Sequence, residues 1–186
     1  MALADEARYT RIAIALHWAI AALILCTFPL GLYMADLPLS PHKLRVYSYH
    51  KWIGVTVFGL AALRLAWRAT HRPPPLPQAV PAWQRRAAHG VHWLLYALLL
   101  AIPLSGWLHS SATGVPTVYL GLWQLPDVVA KDKALAAALK LAHQTLNFTL
   151  LALVVLHVAA ALKHHFVDRD RVLARMLPAR RRPARE

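Results

Sequence analysis

Apolar residues along this chain collect into four long runs separated by short stretches rich in proline and polar side chains. The runs cover about 12–34, 46–67, 87–108 and 142–161. A helix of about 20 apolar residues spans a hydrocarbon core about 30 Å thick. The pattern therefore predicts an all-α fold, a membrane four-helix bundle formed as one transmembrane domain over 1–186. The first run is long for a signal-peptide core, lacks a clear small-residue cleavage site and follows Asp5 and Glu6, so it is read as retained.

The connections differ in character. DLPLSPHK joins the first two spans, and RPPPLPQAVP joins the second and third as a stiff, extended linker. The longest connection, 109–141, contains Pro116, Pro126 and a charged cluster at 131–133. Its last third, KDKALAAALKLAH, is rich in strong helix formers and either extends the fourth helix beyond the bilayer or lies on its surface.

Composition narrows the class. At 186 residues and 58% hydrophobic, the chain is too apolar for an ordinary soluble domain and too short for more than one compact bundle. The single cysteine, Cys26, excludes a disulfide framework, an iron–sulfur site and covalent C-x-x-C-H haem attachment, and is read as a small buried side chain. The net charge of +13 does not indicate nucleic acid, because the basic residues flank the apolar runs. Of the 21 Lys and Arg residues, 15 lie at the N-terminus, in the second connection and in the tail, with the adjoining span ends. The positive-inside rule then places both termini in the cytoplasm. Residues 167–186 read as a basic cytoplasmic tail that contacts anionic lipid. Most of the seven tryptophans lie near span ends, as in an interfacial aromatic belt.

Candidate chemistry rests on histidines inside the spans. His143 and His157 are fourteen residues apart in the last run, a rise of about 21 Å and a rotation only about 40° short of four turns. Both imidazoles thus share nearly one face, one towards each membrane surface. Ionisable groups within a span are costly and usually functional. His17 lies early in the first run and His50 near the start of the second. With cytoplasmic termini, depth alone pairs His17 with His157 and His50 with His143. Two stacked bis-histidine sites suit haem b in electron transfer, since both axial positions are filled. Ala21, Gly54, Asn147 and Ala161 follow these histidines by one turn, and three of the four are small enough for a flat ring to lie against the helix. Zinc is the rival metal, but two histidines without a carboxylate or thiolate make a poor zinc site.

Other residues are secondary candidates. His89 and His92 stand at the cytoplasmic start of the third span and could bond a haem propionate or a quinone. His164 or His165 could give a hydrogen bond or proton to a reducible ligand. Arg64 either snorkels to the inner interface or pairs with a propionate, and Lys51 is an outer cation beside His50. His42, His71 and His109 are read as loop residues.

At these residues the chain resembles the bacterial cytochrome b561 family, whose members include a superoxide oxidase. The resemblance runs from about residue 9 to 178 and is carried by YTRIAIALHW, YHKWIG, ALRLAWR, AAHGVHWLLY, AHQTLN and LHVAAALKHHF followed by RMLP. It implies axial haem ligation by His17, His50, His143 and His157, two non-covalent haem b groups and a bacterial inner (cytoplasmic) membrane location. His92 and the pair His164–His165 also have counterparts there. The implied activity is superoxide:ubiquinone oxidoreductase, with superoxide oxidised at the periplasmic side and ubiquinone reduced. Outer Lys43, Arg45, Lys51, Lys131, Lys133 and Lys140 against Asp36, Asp127 and Asp132 would help steer an anion. The alternative is a cytochrome b electron-transfer subunit that anchors a partner dehydrogenase or reductase, with 109–141 as the docking surface. A haem-free scaffold or metal transporter is a third class, disfavoured by the lack of carboxylates within the spans.

Overall fold

The computed structural model describes residues 8–77 and 80–178. Four long helices dominate it: α1 (Arg11–Asp36), α2 (Pro41–Thr70), α3 (Ala82–Thr113) and α4 (Lys133–Phe166). All four are long and apolar enough to cross a membrane. Each outruns its apolar stretch because local capping begins it early or ends it late. Thr10 Oγ1 accepts from Ala13 N, Ser40 caps α2 ahead of Pro41, and Gly114 closes α3 in the left-handed conformation (φ 73°). Asp132 accepts from Leu135 N at 2.9 Å, so KALAAALKLAH continues α4, and of the two readings of that segment the structure has the extension of the fourth helix. His42 and His109 consequently sit on α2 and α3 rather than in loops.

The helices pack in chain order, α1 on α2, α2 on α3 and, most extensively, α3 on α4. A small apolar core of Leu98, Ile102 and Leu150 lies at the α3–α4 contact, with Ile24 from α1 against it. Elsewhere large apolar side chains face outward, as the lipid-facing surface of a bundle does; Leu25 is 72% exposed. Cys26, expected to be buried, lies beside it on this outer surface. Alternate sides of a bundle helix meet lipid and protein, and an apolar neighbourhood in sequence does not tell them apart.

Two polar-capped ends result. At one end, where α1 starts and α4 finishes, residues after α4 fold back on the bundle. Arg8 donates to Ala174 O and Leu177 O (2.9 and 2.8 Å), Trp18 Nε1 to Met176 O (2.8 Å) and Arg175, 5% exposed, to Pro75 O (2.7 Å). The described part of the tail, 167–178, is thus part of the fold. At the opposite end the α3–α4 connection forms a short antiparallel hairpin, β1 (Val118–Tyr119) with β2 (Trp123–Gln124). Leu120 (φ 54°) and Gly121 (φ 72°) turn it.

Candidate functional site

The two histidine pairs stand at opposite levels of the bundle. Near the end where α1 starts and α4 finishes, His17 of α1 and His157 of α4 face each other with ring centroids 6.2 Å apart. Near the hairpin end, His50 of α2 and His143 of α4 do the same at 6.3 Å. Neither α1 nor α2 packs its backbone closely on α4, and the interval is crossed by these rings and by Phe28 against Phe148.

The spacing has a chemical meaning. A metal bonded at about 2 Å to one nitrogen of each of two opposed imidazoles lies about 3 Å from each ring centroid. The centroids then stand roughly 6 Å apart. Both pairs fit an axially ligated haem iron in this respect. His92 of α3 also approaches His157, but at 5.3 Å, too close for a metal between them in line. It flanks the His17–His157 pair from the side.

The hairpin-end pair is held by polar neighbours, which fix the tautomer of His143. His143 Nδ1 donates to Ile102 O (3.0 Å) and lies 3.0 Å from Ser105 Oγ. A carbonyl only accepts, so the proton is on Nδ1 and Nε2 keeps the lone pair a metal needs. His50 Nδ1 is 3.1 Å from Thr27 Oγ1 on α1. Two glycines back the same rings. A Cβ at Gly31 would lie 3.1 Å from His50 Cε1, and one at Gly106 would lie 3.1 Å from His143 Cε1. Gly54, expected from its spacing to make room, has nothing within 4 Å of its would-be Cβ. Thr27, Gly31, Ser105 and Gly106 were invisible as site residues in the sequence. Their only signal was glycine and hydroxyl residues recurring beside Pro29 and Pro103 within apolar runs.

Around the other pair the polar groups are charged. Arg64 is tied to α1 and α3, with Nη1 donating to Ala13 O (2.5 Å) and Nε to Tyr96 OH (3.0 Å). It lines a small cleft of about 50 Å³ with Arg8, Tyr9, Arg68 and Arg72, and none of the described residues lining it is a carboxylate. Burial pushes the Tyr9 phenol above its ordinary range, against the pull of Arg68 and Arg64, so it remains a neutral donor there. His164 Nδ1 lies 2.6 Å from Asp170 Oδ2 and 3.3 Å from Asp168 Oδ2. Lys163 pairs with Asp168 at 2.7 Å. His165 is exposed against Phe166, and His89 is exposed.

Lys51 does not stand free beside His50. Its Nζ donates to Ser110 Oγ (2.6 Å), Val115 O (3.3 Å) and Pro116 O (3.2 Å). Lys43 likewise turns onto Ala35 O and Leu37 O. Both cations fasten loops to helices.

Four spanning helices with imidazoles facing across their interior at two levels mark the membrane cytochromes b. Sequence comparison gives the family: residues 8–179 match the profile of prokaryotic cytochrome b561, and the chain belongs to it. It is therefore an electron-transfer protein of a bacterial membrane, in a family that uses haem b. Similar proteins include cytochrome b561 homolog 2 of Escherichia coli K12, 38% identical with 91% of each chain covered. Cytochrome b562 of Cereibacter sphaeroides is 30% identical (95% of this chain, 99% of that one). The probable superoxide oxidase CybB of Yersinia pestis is 27% identical (94% and 98%).

Proposed function

We propose that His17 and His157 hold one haem b and His50 and His143 a second, and that the protein oxidises superoxide at the hairpin end and reduces ubiquinone at the other. The observation that carries this reading is the pair of imidazole separations, 6.2 and 6.3 Å, at two levels of one bundle. Bound there, haem b supplies one-electron relay without an open iron position for oxygen. The distribution of basic residues supports cytoplasmic termini and a bacterial inner-membrane location, and the likeness to CybB supports the substrate. Two superoxide anions give two electrons and leave as dioxygen; ubiquinone takes both with two cytoplasmic protons to become ubiquinol.

The chain's own groups have definite tasks. Ile102 O and Ser105 keep the His143 proton on Nδ1, and Thr27 orients His50. Arg45, Lys131, Lys133 and Lys140 provide positive field at the superoxide side. At the quinone side Asp170 holds His164 by Nδ1, which leaves Nε2 to pass a proton towards the acceptor. His92 flanks His157, where its ring can hydrogen-bond the acceptor.

The test uses detergent-purified protein. Expected are two b-type haems per chain, reduced by a superoxide source and reoxidised by added quinone with no partner protein. The His143→Ala variant should lose the hairpin-end haem and external reduction while retaining the other haem. Two haems inert to superoxide would instead indicate a subunit anchoring a partner dehydrogenase or reductase, and a haem-free protein would overturn the ligand assignment.

A further inference from the structure

The α3–α4 hairpin turns its apolar residues outward. Leu120, Leu122 and Trp123 are 52%, 89% and 75% exposed. Yet the hairpin does not project from the end of the bundle, because its strands are fastened to the flank of α2. Trp52 Nε1 donates to Val118 O at 2.6 Å, and the Thr56 and Tyr119 hydroxyls are 3.0 Å apart. The Trp52 ring also lies against Gly121, whose would-be Cβ is 4.0 Å from Cζ2.

These contacts fix its depth. Trp52 follows Lys51 and opens the charge-free stretch 52–63 of α2, where the helix passes from the polar boundary into the span. The hairpin is therefore beside a spanning helix at the level of His50. Two constraints act there. Backbone outside a helix or closed barrel is not tolerated against hydrocarbon, which forbids a deeper position. Three large apolar side chains in water would each forgo burial worth roughly 1.5–3 kcal/mol, which disfavours a higher one. The boundary between headgroups and acyl chains satisfies both, and tryptophan and tyrosine concentrate there. The tip also bonds within itself, Leu122 N to Tyr119 O (3.0 Å) and Leu125 N to Thr117 O (2.9 Å). Tyr49, whose ring lies 5.4 Å from that of Trp52, is also exposed on α2.

We propose that residues 120–123 are a monotopic membrane anchor, with Leu120, Leu122 and Trp123 inserted at the headgroup–acyl boundary of the leaflet on the His50–His143 side. The occupant of this face is lipid. The anchor ties the level of that histidine pair to the membrane surface.

The test places a nitroxide on Leu122→Cys in a Cys26→Ser background of the full chain. The protein is reconstituted in vesicles of phosphatidylethanolamine and phosphatidylglycerol. Power-saturation EPR then compares collisions with dissolved oxygen, which partitions into lipid, and with a water-soluble nickel chelate. A label at Leu25→Cys in the same background gives the lipid reference, and Trp123→Cys is the second site should Leu122→Cys fold poorly. Expected is oxygen accessibility several-fold above that of the chelate, at a depth shallower than the Leu25 label. A chelate collision rate above that of oxygen would mean the tip lies in water and would overturn the proposal. Protection from both reagents would mean another protein surface, a second copy or a partner, covers the hairpin; that too would overturn it.

Discussion

Gly31 and Gly106 decide how closely α1 and α3 approach the hairpin-end histidines. A methyl at either would stand 3.1 Å from an imidazole Cε1, so the ring must move by a few tenths of an ångström. Axial ligation tolerates little such movement, and disturbing the groups that orient a ligand typically weakens metal affinity by about 10–100-fold. Gly106→Ala is expected to lower the haem-to-protein ratio towards half, measured by pyridine haemochrome. Gly59→Ala, at an exposed position with nothing within 4 Å of the added carbon, should leave the ratio unchanged. Equal ratios in the two variants would show that the glycine contact does not matter. The histidines stood out in the sequence because an ionisable side chain in an apolar span is rare and costly. Thr27, Ser105, Gly31 and Gly106 did not, because small and hydroxyl residues are ordinary in membrane helices; only the ring each touches across the bundle sets it apart.

Among the elements, the α3–α4 connection departs furthest from what the sequence shows. Its helical last third follows from strong helix formers behind the Asp132 cap, but strands of two residues carry no periodicity to read. Its attachment to α2 depends on Lys51, which the sequence offers as a free cation. With a nearly isosteric apolar stem, Lys51→Met removes three hydrogen bonds from one ammonium group and leaves Pro116 O to seek water, while Val115 O keeps the Ser110 hydroxyl. Hydrogen bonds to a charged group are each worth about 1.5–3 kcal/mol, partly recovered by solvation here. The expected result is a lower thermal midpoint in detergent and faster hydrogen exchange confined to 114–132. Unchanged exchange there would show that Trp52 and Tyr119 suffice to hold the connection.

For the molecule as a whole, the four spans were legible because length and apolar content suffice to define them. The order of helix neighbours and the folding back of residues 167–178 were not, because the tail's arginines read as a basic segment contacting anionic lipid. Arg175 instead sits 5% exposed and donates to Pro75 O, joining the tail to the linker while Arg8 and Trp18 join it to α1. Arg175→Met should lower the thermal midpoint and speed proteolysis of the tail, with the spectrum of the proposed hairpin-end haem unaltered. Rapid tail cleavage in the native chain would count against a folded cap.

The separation of the two histidine levels along α4 has an energetic consequence. Fourteen residues of unbroken helix between His143 and His157 place the levels about 21 Å apart, roughly two-thirds of the hydrocarbon thickness. An electron passing between them inward, as in the proposed reaction, moves against a potential that is negative inside. At roughly 2.3 kcal/mol per charge per 100 mV across the full membrane, that leg costs about 1.5 kcal/mol for each 100 mV. Quinone reduction by the proposed route would therefore be electrogenic, and an energised membrane would hold back its own supply of electrons while a depolarised one would not oppose them.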